Sequence, residues 1–173
     1  MAGGAVRIAG PDDLEAYAQL VSGAYEDIRG LGINFAAASA GHADALEHLR
    51  RNVAYVLVAD QQLVATVSVR YPWGPNPGPF GLPHLGWIAT APSHRRRGLA
   101  QSLMTTVEEE LRDRLHAPAV SLGTAEHHPW LTEMYTRLGY RPAGTTDLGR
   151  GHTTLYLTKQ LAPAAIDSTT DTP

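Results

Sequence analysis

The most constraining stretch of the chain lies between residues 84 and 124. It runs from HLGWIAT (84–90) through APSHRRRG (91–98) and a run with Leu99, Leu103, Val107, Leu111 and Leu115 at every fourth position. It then emerges into AVSLGT (119–124). The two short apolar runs read as buried strands, and the leucine and valine spacing between them reads as a helix to about Leu115. Two strands joined by a helix cannot form a hairpin. They are expected to lie parallel, with a right-handed crossover. The class is therefore mixed α/β.

The rest of the chain fits around that unit. Ala5 to Ala9 reads as a short first strand, and Pro11-Asp12-Asp13 as a helix start favoured by the helix dipole. Leu14, Tyr17, Val21, Tyr25 and Ile28 carry this helix to about Ile28, and Gly30-Leu31-Gly32 ends it. A second helix is expected over Ala43 to Arg51, with Leu46 and Leu49 inward. VAYVLVADQQLVATVSVRY (53–71) reads as a hairpin turning at Asp60-Gln61. PWGPNPGPFGLP (72–83) has five prolines and three glycines, so it is a loop or flap rather than helix or central strand. Pro129 suits the first position of another helix, with His128 before it as cap, and Leu131, Met134, Tyr135 and Leu138 line it up to Gly139. Residues 143–148 and 153–158 make a last pair of strands. Outside the parallel pair the sheet is expected to be largely antiparallel.

Composition narrows the function. With 173 residues, 43% hydrophobic and 18% charged, one globular domain is expected over 1–161, followed by a small, polar and disordered tail over 162–173. No apolar run is long enough to cross a bilayer and no secretory signal is recognisable, so the expected location is the cytoplasm, without membrane partners. The chain has no cysteine, which removes disulfides, thiol catalysis and thiolate metal sites. A net charge of −3 argues against a nucleic-acid partner. The arginine cluster is then a local device on a mildly acidic protein.

Arg95, Arg96 and Arg97 sit at the helix end that the dipole disfavours for cations, which points to a bound anion. The first amides of a helix have no partners within it and point outward. Gly98 lets the backbone approach that anion, small Ala100 keeps the approach open, and the arginines suit a pyrophosphate. Arg95-x-x-Gly98-x-Ala100, after the strand and proline of WIATAPSHRRRGLA, resembles the acyl-CoA-binding motif of the GCN5-related N-acetyltransferases, the GNAT superfamily. MYTRLGYRP (134–142) resembles a second family segment, in which a tyrosine precedes a glycine-aromatic pair by four residues. The resemblance covers roughly residues 5 to 160.

The resemblance implies a GNAT-like fold. This has a central twisted mixed sheet of six to seven strands, about four flanking helices, and a splayed parallel pair that binds acyl-CoA. It implies acetyl-CoA or another acyl-CoA as co-substrate, no metal, and direct attack by an amine. Backbone groups at Ile88, Ala89 and Thr90 would hold the pantetheine and polarise the thioester, with Gly86 marking a bulge; Leu99 and Gln101 complete the phosphate loop. Tyr135 matches the tyrosine usually assigned as general acid. The family has no fixed base, and His84, Glu126 and His127 are all candidates. His128 stands where many members have an asparagine, so it would cap the helix or donate to the cofactor. The pair His127-His128 lacks a third ligand at useful spacing for a metal. The acceptor wall would come from Asn34, Phe35, Trp73, Phe80 and Trp87, which suits a small or partly apolar amine. A protein or peptide amine is the alternative acceptor, a non-catalytic acyl-CoA-binding module is the alternative class, and a homodimer is compatible with the fold.

Overall fold

The computed structural model describes residues 4–31, 33 and 35–162. Seven strands form one sheet in the order β1-β2-β3-β4-β5-β7-β6. They are β1 (Ala5–Ile8), β2 (Val53–Ala59), β3 (Gln62–Arg70), β4 (His84–Thr90), β5 (Ala119–Ala125), β6 (Arg141–Asp147) and β7 (Thr153–Gln160). Every neighbouring pair is antiparallel except β4 and β5. The hairpin turns at Asp60 and Gln61, both left-handed (φ 48° and 62°), as a two-residue connection between twisted strands requires.

Side-chain alternation along the strands builds two cores, one on each face. Tyr55 and Leu57 of β2 join Val67 and Val69 of β3, Leu122 of β5 and Leu157 of β7 under α4 (Leu99–Asp113). Leu103, Val107 and Leu111 of α4 are fully buried there, as their spacing predicts. Ala54 and Val56 point to the other face, where Tyr17 and Val21 of α1 (Leu14–Ala24) and Ala45 of α3 (His42–Arg51) pack. Glu108 lies on the buried face of α4. It accepts hydrogen bonds from the Tyr140 hydroxyl and Lys159 Nζ, each at 2.6 Å, which ties the helix to β7 and to the entry of β6.

Several boundaries differ from expectation. The first helix breaks at Tyr25, and a short α2 (Glu26–Arg29) follows, so the described residues hold five α-helices. At the break the Tyr25 hydroxyl donates to the Ile88 carbonyl at 2.8 Å and its ring packs edge-on to Phe35, anchoring the junction to β4. In α3, Ala45 is the buried residue and Leu49 packs beside it, while Leu46 falls outside that core. Helix α4 stops at Asp113, so Leu115 lies beyond it and is 42% exposed. Helix α5 (Leu131–Arg137) begins two residues after Pro129, because His128 Nδ1 accepts from the Trp130 and Leu131 amides at 3.4 and 3.3 Å. The expected tail falls almost entirely outside the described residues, as does Asn34.

Candidate active site

The parallel pair is short. Strands β4 and β5 are matched only at His84–Ser121 and Leu85–Leu122, and then diverge. On its other side, β4 pairs Gly86 with Ser68 and next Ala89 with Thr66, so Trp87 and Ile88 together face the single residue Val67. This is a β-bulge, and it bends β4 away from β5. Trp87 takes a left-handed backbone (φ 46°), costly for a bulky residue. Its ring is held by stacking on His48, with centroids 3.7 Å apart. The gap opens into a cavity of about 1470 Å³, lined by Gly86 to Thr90 on one side and by Gly123, Thr124, Met134 and Tyr135 on the other.

The basic loop forms one end of this cavity. Arg96 and Gly98 are left-handed (φ 59° and 70°), and Gly98 caps α4, whose first internal bond runs from the Ser102 amide to the Gly98 carbonyl at 2.9 Å. The amides of Leu99, Ala100 and Gln101 therefore lack helical acceptors, and all three residues line the cavity. A Cβ placed on Gly98 would meet nothing within 4 Å, so the glycine leaves an open cradle. The three arginines divide. Arg96 lines the cavity, while Arg97 lines a separate hollow of about 210 Å³ beside Leu57 and Ala59. Arg95 lines the cavity too, but its guanidinium donates to Asp27 and, at 2.9 Å, to the Ala24 carbonyl, fastening the loop to the α1–α2 junction.

Tyr135 lines the cavity opposite the bulge and is 5% exposed. Burial pushes its phenol well above the usual tyrosine range, so it stays protonated. His84 is 8% exposed at the cavity wall. The Ser121 hydroxyl lies 2.9 Å from His84 Nδ1 and 3.4 Å from the Pro83 carbonyl, so Nδ1 is engaged by β5 and Nε2 is the ring nitrogen that Ser121 does not engage. Burial, reinforced by the positive charge of Arg70, lowers the His84 pKa to about 3. The proline-rich loop clamps this residue: a Cβ on Gly78 would fall 2.3 Å from His84 Cβ.

Other sequence candidates lie elsewhere. Glu126 and His127 do not line the cavity; they face each other at 3.9 Å beyond the end of β5. His128 is buried behind the lining, with Nδ1 capping α5 and Nε2 without a hydrogen-bond partner among the described residues. Among the described residues no group of three or more His, Asp or Glu side chains is placed to hold a metal ion. Phe35 and Trp87 line the cavity, but Trp73 (69% exposed) and Phe80 (51% exposed) do not. Trp73 stacks on Tyr71, and Phe80 sits edge-on to Tyr156.

The sequence does not single out His48 or Arg70, yet both line the cavity. Asn52 Nδ2 donates to His48 Nδ1 at 3.2 Å and to the His48 carbonyl at 3.0 Å, so Nε2 carries the proton and donates to Ser68 Oγ at 2.8 Å. Burial lowers the His48 pKa to about 4. The available signal was the helical spacing of His48 from Ala45, which puts both on the inward face of α3.

Known proteins resemble the chain at several levels. A family model described as "Acetyltransferase (GNAT) family" matches residues 22–140. S-(2-succino)cysteine N-acetyltransferase of Bacillus subtilis (strain 168) is 48% identical over 90% of this chain and 94% of its own length. S-alkylcysteine N-acetyltransferase of the same organism is 39% identical over 78% and 76%. A solved PaiA N-acetyltransferase from Thermoplasma acidophilum, in complex with coenzyme A, shares the fold with TM-score 0.70 over 91% of this chain and 98% of that one, at 11% identity. The splayed strands and the cradle before α4 thus sit within a match spanning most of the sequence, and the chain belongs to the acetyltransferase (GNAT) family of acyl-CoA-dependent N-acetyltransferases.

Proposed function

We propose that the chain transfers the acetyl group of acetyl-CoA to the α-amine of an S-substituted cysteine, in the cytoplasm, where acetyl-CoA is made. The 48% identity to S-(2-succino)cysteine N-acetyltransferase across nine-tenths of the chain carries this reading. The cavity supports it. Phe35, His48 and Trp87 give its wall flat, weakly polar surfaces suited to a thioether side chain.

The co-substrate supplies the activated acetyl thioester, and the residues present fit it. The cradle at Gly98, with the amides of Leu99, Ala100 and Gln101 and the Arg96 guanidinium, would hold the pyrophosphate. The diverging backbone from Ile88 to Thr90 would hold the pantetheine arm as a strand would. Across the gap, the buried Thr124 Oγ1 has no hydrogen-bond partner among the described residues, which suits a ligand contact. Tyr135, held neutral by burial, would donate its proton to the departing sulfur as the new C–N bond forms. Of the three base candidates only His84 lines the cavity, and its Nε2 would take the proton lost by the amine.

The test is release of free CoA thiol with a panel containing S-(2-succino)cysteine, S-methylcysteine, lysine, spermidine and an alanine-ended peptide, with products identified by mass. The expected result is acetylation of the cysteine thioethers with the largest kcat/KM. Preference for the peptide would replace the reading with protein acetylation. Acetyl-CoA binding without turnover of any amine would replace it with a binding module.

A further inference from the structure

Arg70 closes β3 and is directly opposite His84 in the β3–β4 ladder. Opposed side chains in an antiparallel pair share a face, with Cβ atoms about 5 Å apart. Both line the cavity. The Arg70 Nε is buried without a hydrogen-bond partner, and the residue makes no ion pair among the described residues. A buried donor left unsatisfied is costly, more so on a charged group. The carboxylates lining the cavity are all committed elsewhere: Asp27 to Arg95, Asp44 to the Gly41 amide at 2.9 Å, and Glu47 to Arg51 at 3.7 Å. Arg150, from the β6–β7 connection, also lines the cavity and is near enough for its charge to oppose that of Arg70. Among the described residues, then, no carboxylate pairs with Arg70, and Arg150 adds positive charge beside it.

We infer that Arg70 recognises the α-carboxylate of the acceptor and thereby sets the acceptor's amine beside His84. The inference rests on the cysteine-thioether reading above. Covalent geometry selects the α-carboxylate over one in the S-substituent. The α-carboxylate carbon is two bonds from the amine, whereas a carboxylate carbon of an S-succinyl group is at least five bonds away. A cation one cross-strand spacing from the proton acceptor reads the nearer group. Seating the carboxylate there satisfies the guanidinium and also removes the positive field acting on His84.

The experiment measures kcat/KM for S-methylcysteine and for its α-carboxamide with the wild type, Arg70→Gln and Arg70→Lys. Comparing the acid-to-amide ratio between proteins cancels the difference in amine basicity between the two acceptors. A charge-assisted bidentate contact predicts that Arg70→Gln lowers this ratio by about 10- to 100-fold, chiefly through KM for the acid, with Arg70→Lys in between. An unchanged ratio, or acid and amide falling in parallel, overturns the inference while leaving the acceptor class intact. If Arg70→Gln fails to fold, an unchanged ratio in Arg70→Lys overturns it, because lysine cannot keep the fork geometry. If the wild type acetylates neither compound, the same comparison is made with S-(2-succino)cysteine and its α-carboxamide; if these are not acetylated either, the cysteine-thioether reading falls and takes the inference with it.

Discussion

Two neutral imidazoles in the cavity wall make the fold sensitive to mild acid. A free histidine titrates near 6.5, whereas burial lowers His48 to about 4 and burial with the Arg70 charge lowers His84 to about 3. Below pH 6.5 the unfolded chain therefore takes up protons that the folded one refuses. Stability is full above that pH and falls as the pH drops toward the folded values. Between pH 7 and 5 each imidazole costs roughly 2 kcal/mol, so the pair costs roughly 4 kcal/mol, a large share of the stability of an ordinary domain. His128, also lowered by burial, acts in the same direction. Urea unfolding at pH 7, 6 and 5 measures the loss. His48→Gln should be less stable at pH 7, having lost the ring stack on Trp87, but its stability should fall by roughly 2 kcal/mol less over the same range. Identical pH dependence in the two proteins would refute the assignment of His48 as neutral in the fold.

Tyr135→Phe should reduce kcat by about 10²–10⁴-fold with little change in acetyl-CoA affinity or melting temperature, since only the hydroxyl is lost; kcat within about threefold under chemistry-limited turnover would remove Tyr135 from the acid role. Gly98→Val forces a β-branched residue into a left-handed conformation and fills the cradle, so it should abolish the rise in melting temperature caused by acetyl-CoA; an undiminished rise would place the pyrophosphate elsewhere. Glu108→Ala strands the Tyr140 hydroxyl and the Lys159 ammonium and should cost about 2–4 kcal/mol, with Glu108→Gln milder because it can still accept from Tyr140. Equal losses in urea titrations of the two Glu108 variants would contradict that account.

The backbone plan was legible because its signals are local. The spacing of Leu103, Val107 and Leu111 fixes α4, and a helix between two apolar runs fixes the parallel pair. The bulge was less so: Gly86 hints at it, but Trp87, not a glycine, takes the left-handed conformation, held there by His48 from a helix nearly forty residues away. The junction at Tyr25 is likewise tied to a carbonyl in β4 that no helical periodicity can reveal. Among the residues that line the cavity, Gly98 could be anticipated because a loop glycine before a helix has few other uses. Arg70 was not, since an arginine at the end of an apolar strand resembles any solvated strand terminus. Trp73 and Phe80 show the reverse error. Aromatic residues in a proline-rich loop look like pocket walls, but here the loop contributes its bare Gly78 against His84 and turns those rings outward.

Only His84 and Leu85 join β4 to β5, so the continuous sheet is mechanically two smaller ones, four strands and three, meeting at a seam two residue pairs long. Helix α4 bridges the seam on one face, but among the described residues no backbone bonds cross the gap. A seam of this kind is where local opening begins, and amide exchange should be fastest at the ends of β4 and β5 that face the gap. An extended ligand arm in the gap would act as the missing strand. The two half-sheets would then open together rather than separately, so ligand binding should slow exchange on both sides of the seam, including in residues that never touch it.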